Sequence, residues 1–255
     1  MPAAPEPPVK IRLREVTKGF AGRIVLDGLD FEVREGESVV VLGGSGTGKS
    51  VLLKHMIGLL RPDGGTVEVD GRDLATLAGP ELTAFRRRFG MAFQEGALFD
   101  SMSVWDNVAF PLLRAGWPKA KRAERVAECL EMVHLEGAGR KMPAELSGGM
   151  RRRVGFARAI ALEPRILLFD EPNTGLDPVI KAVIDELILE LQDKLQSTAV
   201  TITHDLTSAF RIADRIALLF RGRIVAYAPP EEFRALPDAR VQQFIRGLAS
   251  GPLTE

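Results

Sequence analysis

At 255 residues, 45% of them hydrophobic, the chain is long enough to bury the core of one large domain or of a core with a subdomain. Its 34 basic and 34 acidic residues balance, so the overall charge gives no reason to expect a nucleic-acid partner, and the arginine triplets at 86–88 and 151–153 are typical of solvated faces. The single cysteine, Cys129, excludes an internal disulfide and is typical of packing in a reducing compartment. The apolar runs are far shorter than the ~20 residues that cross a bilayer, so a membrane role would require a partner.

The N-terminal part of the chain is predicted to form strands. Residues 1–8 are rich in proline and lack an apolar core, which predicts a disordered leader. From 9 to 41, alternating apolar residues separated by turns, one of them at 18–22, predict an antiparallel β flap, and 66–71 predicts a further strand of it. Phe20 lies in this flap, where its ring can stack on a nucleotide base; an ordinary core phenylalanine is the equal alternative.

The segment at 43–50, GGSGTGKS, has two glycines five apart followed by Lys and Ser, which is the phosphate-loop pattern. A mostly β-branched run at 38–42 predicts a strand before it, and 51–60 predicts a helix after it. Glycines let the backbone approach a phosphate chain closely, and the N–H groups at a helix start bind anions. We therefore expect Lys49 to reach the β- and γ-phosphates of a nucleotide and Ser50 to bind Mg²⁺. The alternative is a glycine-rich turn with a chance Lys-Ser pair. The residues expected to surround the phosphates are Gly43, Gly44, Ser45, Gly46, Thr47 and Gly48.

Two acids end a strongly apolar run later in the chain, where ILLF at 166–169 is followed by Asp170 and Glu171. In open α/β sheets, ligands lie beyond the carboxyl ends of the strands, so we expect Asp170 to hold Mg²⁺ and Glu171 to polarise an attacking water. A helix at 179–196 and a strand at 199–203 then lead to His204, which is expected to touch a γ-phosphate.

Three further segments carry weaker signals. Ser147, followed by Gly148 and Gly149, predicts a helix start with exposed N–H groups and so a second anion site, although an ordinary helix cap has the same pattern. Gln94, between the apolar runs at 89–93 and 95–99, is by itself typical of a surface residue. The tail has an apolar stripe at helical spacing, formed by Val241, Phe244, Ile245 and Leu248. We expect this stripe to pack either on its own subunit or on a partner.

Taken in this order and spacing, the segments resemble the nucleotide-binding subunits of ABC transporters over about 9–236. The resemblance assigns each segment to a motif of that family, namely the Walker A loop at 43–50, the Q-loop at Gln94, the signature motif at 146–150, the Walker B strand at 166–170, the catalytic glutamate at Glu171, the D-loop at 175–177 and the switch histidine at His204. It also implies a catalytic role for Glu171, His204, Lys49 and Gln94, a Mg²⁺ site formed by Ser50, Gln94 and Asp170, and a place for Asp177 in the nucleotide site. Two positions depart from the family pattern, because Met150 stands where Gln is usual and Phe20 where Tyr is commonest.

The resemblance implies an α/β fold, the P-loop NTPase fold of ABC ATPases, with a parallel-sheet core, an antiparallel β subdomain and a helical subdomain at about 92–165. Residues 9–236 would form the ATPase domain and 237–255 a C-terminal helical extension. The implied activity is hydrolysis of ATP to ADP and phosphate with Mg²⁺, in a head-to-tail dimer in which the signature motif of one copy caps the ATP held by the other. The short interval between Gly48 and Ser147 excludes the coiled-coil insertions of chromosome-maintenance ATPases, and the single set of motifs excludes tandem translation-factor relatives.

The segments at 93–99, 104–108, 147–150 and 238–244 further resemble the Mla and Mce-associated ATPases, which energise trafficking of phospholipids or hydrophobic molecules between the inner and outer membranes of bacteria. This resemblance implies a peripheral protein at the cytoplasmic face of the inner membrane, bound to an integral-membrane permease whose cytoplasmic helix is received partly by the apolar run at 94–110. It also implies a lipid-binding substrate protein and a small regulatory subunit as partners, and no nucleic acid.

Two alternative functions remain open, the ATPase of an importer for a small polar solute and a soluble ABC ATPase that acts as a scaffold in cofactor assembly. A degenerate nucleotide sensor is disfavoured because the reactive residues are all present, namely Lys49, Asp170, Glu171 and His204.

Overall fold

The computed structural model describes residues 6–254, so residues 1–5 of the expected leader lie outside the described residues. The remaining leader residues contact the flap, since Glu6 pairs with Arg34 at 2.6 Å and the Pro8 carbonyl accepts from the Glu35 amide at 2.9 Å. The chain divides into two compact units, the first formed by Met1–Thr83 with Ile202–Glu255 and the second by Ala84–Thr201.

The strands are β1 (Val9–Phe20), β2 (Arg23–Arg34), β3 (Ser38–Leu42), β4 (Gly64–Val69), β5 (Arg72–Asp73), β6 (Phe89–Ala92), β7 (Ile166–Asp170), β8 (Thr198–Thr203), β9 (Arg215–Phe220) and β10 (Arg223–Ala228). The α-helices are α1 (Lys49–Met56), α2 (Gly79–Arg86), α3 (Val104–Arg114), α4 (Lys119–Met132), α5 (Gly148–Ile160), α6 (Pro178–Leu195), α7 (Leu206–Ile212), α8 (Pro230–Ala235) and α9 (Ala239–Arg246). Over the described residues, no helix combines the length and the apolar composition that crossing a membrane requires.

An antiparallel sheet in the order β2-β1-β4-β5 forms the flap of the first unit, as the alternating pattern predicts. Leu13 pairs with Phe31 on one side and Val67 on the other, and all three side chains are buried. The predicted break at 18–22 is too long, because β1 continues to Phe20 and only two residues form the turn. The strand continues through the irregular part of the sequence because its pairing with β2 shifts register at several points, and Glu15 adopts φ 49° at one of them.

The first unit also contains the strand that delivers the phosphate loop. The order there is β10-β9-β3, with β3 parallel to β9 and β10 antiparallel to β9. All five residues of β3 are buried, which matches its mostly β-branched sequence. The helix after the loop begins at Lys49 and ends at Met56, before the predicted end at residue 60. Gly58, at φ 65°, donates its amide to the His55 carbonyl, and such a left-handed glycine ends a helix.

The second unit places its strands in the order β8-β7-β6, with β7 parallel to β6. Its core includes an edge-on contact between Phe156 of α5 and Phe169 of β7, whose ring centroids are 5.0 Å apart. Cys129 is fully buried as predicted, and burial raises the pKa of its thiol to about 12.

The arginine triplet at 151–153 departs in part from the solvated face that the sequence predicts, because Arg151 is exposed but Arg153 is half-buried and Arg152 is buried. Each side chain donates to a different backbone carbonyl: Arg151 to Leu146, Arg152 to Thr174 and Arg153 to His134. Arg152 is only 4% exposed. Guanidinium groups can enter the interior in this way because fixed carbonyl acceptors replace the water they lose.

The predicted apolar stripe of the tail is divided by the structure. Val241 of α9 is fully buried, Phe244 and Ile245 are half-buried, and Leu248 lies beyond the helix with 52% of its surface exposed. Gln243 of α9 is also buried, and its side-chain oxygen accepts from the Leu253 amide at 2.7 Å. The last residues are therefore folded back onto α9.

Candidate functional site

Gly43 follows β3 directly and has no room for a side chain. An added Cβ would lie 2.8 Å from the Leu219 carbonyl oxygen and 2.8 Å from Thr47 Oγ1. Thr47 in turn donates to the Gly44 carbonyl at 3.0 Å, which closes the loop on itself. The exposed stretch from Gly44 through Gly46 thereby lies between two fixed ends.

The end of the loop becomes the start of α1. Gly48 is the N-cap of that helix at φ 102°, and an added Cβ would meet the Val25 carbonyl oxygen at 3.1 Å. The first turn of α1 has no acidic residue, so the positive end of the helix is not neutralised by its own side chains. A close backbone turn that opens onto a bare helix start is the arrangement that binds phosphate.

Lys49, the first residue of α1, lies against the loop. Its Nζ donates to the carbonyl oxygens of Gly43 at 2.8 Å and Gly44 at 2.9 Å, and the residue is 7% exposed. These two contacts fix a cation beside the loop backbone. Ser50 follows it and is exposed. A chance glycine-rich turn does not account for this ordered strand, loop and helix.

Phe20, also in the first unit, is 44% exposed, so the alternative of a core phenylalanine is wrong. The Lys18 ammonium lies over its ring at 5.5 Å from the centroid. A pocket of about 320 Å³ lies beside the phosphate loop, and its wall includes Ser45, Gly46, Ile24, Val25 and Arg221. Sequence reasoning missed these last three residues, since no local pattern relates the start of β2 or the β9–β10 turn to the loop.

His204 belongs to the first unit as well, directly after β8, and is exposed. Its neighbour Asp205 caps α7 by accepting from the Ser208 amide at 3.2 Å. The cap holds the backbone next to His204 in a defined turn.

The signature segment lies in the second unit at the start of α5. Ser147 is its N-cap, accepting from the Met150 amide at 3.3 Å, and it is exposed. The predicted helix start is thus confirmed. An added Cβ at Gly149 would lie 2.9 Å from Ile180 Cγ2, and one at Gly148 would lie 3.6 Å from Leu176 Cδ2, so both glycines pack against the D-loop and α6.

Asp177 of the D-loop caps α6, because its carboxylate accepts from the amides of Val179 at 3.0 Å and Ile180 at 3.1 Å. Gln94 begins a short 3-10 turn after β6, and its side chain is exposed.

The two acids stand where the sequence predicts, at the carboxyl end of β7. Asp170 is the half-buried last residue of an otherwise buried strand. Glu171 is half-buried and adopts φ 50°, a left-handed conformation that is uncommon for a residue other than glycine. Its carboxylate Oε2 accepts from the Thr174 hydroxyl at 3.1 Å. Strained backbone of this kind is concentrated at functional sites.

The side chains of Ser50, Gln94 and Asp170 are each chemically suited to the Mg²⁺ role that the resemblance implies, since hydroxyl, amide carbonyl and carboxylate oxygens are ligands that this ion prefers. Ser50 and Gln94 are exposed and Asp170 is half-buried. The structure places Phe20, the phosphate loop and His204 in the first unit, and the other predicted site residues in the second.

The ABC transporter family description matches residues 26–174, more than half of the chain. The chain belongs to the ABC transporter family. The resemblance deduced from the motifs is thereby confirmed.

This ABC protein has close relatives among curated sequences. It is 41% identical over 248 residues to "Probable ribonucleotide transport ATP-binding protein mkl" of Mycobacterium leprae, covering 96% of this chain and 71% of the relative. It is 40% identical over 244 residues to "Intermembrane phospholipid transport system ATP-binding protein MlaF" of Haemophilus influenzae, covering 95% of this chain and 92% of the relative. MlaF of Escherichia coli K12 is also 40% identical, with 95% and 91% covered.

Solved structures of ABC cassettes share the fold. A dimeric bacterial ABC transporter cassette, MJ0796, superposes with a TM-score of 0.79 and 34% identity, covering 86% of this chain and 98% of that one. The cbiO1 protein of Clostridium perfringens, part of the ABC transporter complex cbiONQ, has a TM-score of 0.84 and 28% identity, with 94% of each chain covered. The predicted α/β fold of ABC ATPases is therefore confirmed.

Proposed function

We propose that this ABC protein binds ATP with Mg²⁺ and hydrolyses it to ADP and phosphate. The observation that carries the proposal is the phosphate loop, in which the Lys49 ammonium lies at 2.8 Å and 2.9 Å from two loop carbonyls beside a bare helix start. In this proposal the loop amides and Lys49 bind the β- and γ-phosphates, and Phe20 stacks on the base.

The remaining residues have separate roles in the proposed reaction. Ser50, Gln94 and Asp170 would hold Mg²⁺, which when bound neutralises phosphate charge. Glu171 orients the attacking water and accepts its proton, and His204 contacts the γ-phosphate. A site that stabilises phosphate charge needs hydrogen-bond donors in fixed positions. The Lys49 ammonium is one such donor, because its contacts with the loop carbonyls hold it in place.

We propose further that two copies form the active species, with Ser147, Gly148, Gly149 and Asp177 of one copy acting on ATP held by the other. The position of Ser147 supports this, because the residue caps α5 in its own copy and is still exposed at the helix start. MJ0796 has been solved as a dimer, and also as a post-hydrolysis dimer bound to ADP and Pi. Specific activity should therefore rise with protein concentration, whereas constant specific activity of a monomer would contradict the shared site.

For the cargo, we propose phospholipid moving between the inner and outer membranes. The support is the 40% identity to MlaF over 95% of this chain and 92% of the relative. The protein would then lie at the cytoplasmic face of the inner membrane on an integral-membrane permease, with a lipid-binding substrate protein and a small regulatory subunit as further partners. In this proposal residues 9–236 form the ATPase domain, 92–165 its helical subdomain and 237–255 the extension.

A ribonucleotide is the second candidate cargo, because the mycobacterial relative at 41% identity is named for ribonucleotide transport. An ATPase subunit does not touch the cargo, so its own residues do not discriminate between the two.

Purification of the tagged full chain from its native host, followed by identification of bound proteins and lipids, separates these candidates. Recovery with a membrane permease, a lipid-binding protein and phospholipid supports the lipid proposal. Recovery with a permease and a solute-binding protein that retains ribonucleotide supports the second candidate. A soluble cofactor-assembly complex without a permease would contradict both.

A further inference from the structure

The turn that follows β7 gives Glu171 a hydrogen-bond donor from within its own loop. The Thr174 hydroxyl has a single hydrogen to donate, and its Oγ1 lies 3.1 Å from its acceptor, Glu171 Oε2. The Thr174 amide also donates to the Glu171 carbonyl, at 3.4 Å. One carboxylate oxygen is therefore held by the loop, which fixes the orientation of the other.

The same threonine is held from α5. The Arg152 guanidinium donates to the Thr174 carbonyl, and at 4% exposure this arginine is buried. Arg152 lies in the helix that Ser147 caps, so the signature segment and the Glu171 turn share one connection. A hydrogen bond from a buried guanidinium is a strong contact, because the buried donor has no water to replace the carbonyl.

A second anchor holds the other side of the turn. Asn173 Nδ2 donates to Asp185 Oδ1 of α6 at 2.6 Å, and both residues are 1% exposed. Residues 173 and 174 are thus attached to two different helices, while Glu171 keeps its left-handed φ of 50°. The turn has little freedom to adjust when one anchor is removed.

We propose that Arg152 and Thr174 are positioning residues for Glu171, and that they make its orientation depend on the position of the signature helix of the same subunit. The proposal rests on the proposed hydrolytic role of Glu171. In this proposal neither Arg152 nor Thr174 touches the phosphates. Thr174 acts through the Glu171 carboxylate, and Arg152 acts through Thr174. A shift of α5 moves the Thr174 carbonyl and hydroxyl together, so the water-orienting oxygen turns with the helix.

The test compares variants in the full chain with Mg-ATP as the probe. Thr174→Val replaces the hydroxyl by a methyl group of the same shape, and Thr174→Ser keeps the hydroxyl. Loss of a hydrogen bond to a charged group should lower kcat by about tenfold to a hundredfold in Thr174→Val. The Kd for ATP should stay within about twofold, since the lost contact is not to the nucleotide. Thr174→Ser should recover kcat to within about threefold of the wild type, because its hydroxyl keeps the hydrogen bond.

Arg152→Met removes the second connection, and Arg153→Met is its matched control. Arg153 lies on the same helix but donates to the His134 carbonyl at 2.9 Å, away from the glutamate turn. Arg152→Met should lower kcat about tenfold or more. Arg153→Met should lower the melting temperature, but its kcat should equal that of the wild type when both are assayed at a temperature at which the variant is folded. The double variant Thr174→Val with Arg152→Met should lose less than the product of the single losses, because both act through one carboxylate.

The outcomes separate this proposal from the hydrolytic function itself. If Glu171→Gln keeps wild-type turnover, the role of Glu171 fails and the positioning proposal falls with it. If Glu171→Gln is inactive while Thr174→Val turns over normally, the hydrolytic role stands and the positioning proposal is overturned. Equal losses of kcat in Arg152→Met and Arg153→Met would show that the Arg152 contact only stabilises the fold. Strictly multiplicative losses in the double variant would show that the two residues act independently, which would overturn the action of Arg152 through Thr174.

Discussion

The two adjacent glycines at the start of the phosphate loop have very different surroundings, and alanine substitution distinguishes them. At Gly43 a methyl group would lie 2.8 Å from the Leu219 carbonyl oxygen and 2.8 Å from Thr47 Oγ1, closer than a Cβ can approach. At Gly44 the nearest atom would be Thr47 Cγ2 at 3.7 Å, an ordinary van der Waals contact. Neither glycine has a positive φ, so the difference is one of space alone.

Relief of the contact at Gly43 requires backbone or Thr47 to move. Overpacking of this kind costs about 1 to 3 kcal/mol, which for a chain of this size lowers Tm by roughly 2 to 12 °C. Gly44→Ala should change stability by less than about 0.5 kcal/mol, or roughly 2 °C. The added methyl group at Gly43 would also lie 3.6 Å from Lys49 Cδ, so ATP affinity should fall together with stability.

Thermal unfolding followed by circular dichroism, without nucleotide, measures the stability difference, and equilibrium binding of Mg-ATP measures the affinity. Gly44→Ala is the matched control for stability only, since its backbone belongs to the proposed phosphate site. Equal melting temperatures for the two variants would refute the packing assigned to Gly43.

Three further predictions test other parts of the structure. Lys49→Ala should weaken ATP binding by about tenfold or more and also lower the rate of hydrolysis, because it deletes a charged contact with phosphate. Unchanged ATP affinity in equilibrium dialysis would contradict the placement of Lys49 at the phosphates. Cys129, whose pKa burial raises to about 12, should resist a thiol-specific disulfide reagent in the native protein and react after unfolding, and fast labelling of the native chain would contradict its burial. The pKa of Asp238 is lowered to about 2, chiefly by the hydrogen bond from Arg240, so its stabilising effect is present above its ordinary value of 3.8 and is lost as the pH falls through 2. The Tm of Asp238→Asn should therefore be below that of the wild type at neutral pH and approach it as the pH falls, whereas a pH-independent difference would exclude the ionised carboxylate as the cause.

The parts of the fold that could be predicted are those specified by neighbouring residues. The run at 38–42, the loop at 43–50 and the two acids at the carboxyl end of β7 each carry their own pattern, and each lies at the position in the fold that this pattern predicts. Composition alone predicts too late an end for α1, because Gly58 with its left-handed backbone outweighs the helical composition around it.

The parts that could not be predicted depend on distant residues. The reason Gly43 must be glycine is the Leu219 carbonyl, which only the folded chain brings near. The sequence predicts a solvated Arg152 because arginine triplets usually are solvated, whereas its burial depends on an acceptor at Thr174. The exposure of Phe20 likewise follows from the extended β1 and not from its sequence neighbours.

Phosphate release from Mg-ATP by the purified chain, compared with Glu171→Gln at equal concentration, tests the hydrolytic role most directly. The wild type should release phosphate, and the variant should lose about 10² to 10⁴ in rate while its Kd for ATP stays within about threefold, because the glutamate acts on water and not on the nucleotide. Turnover by the variant near the wild-type rate would contradict the assignment of Glu171, and the absence of any turnover by the wild type at concentrations that support dimers would contradict the proposed activity.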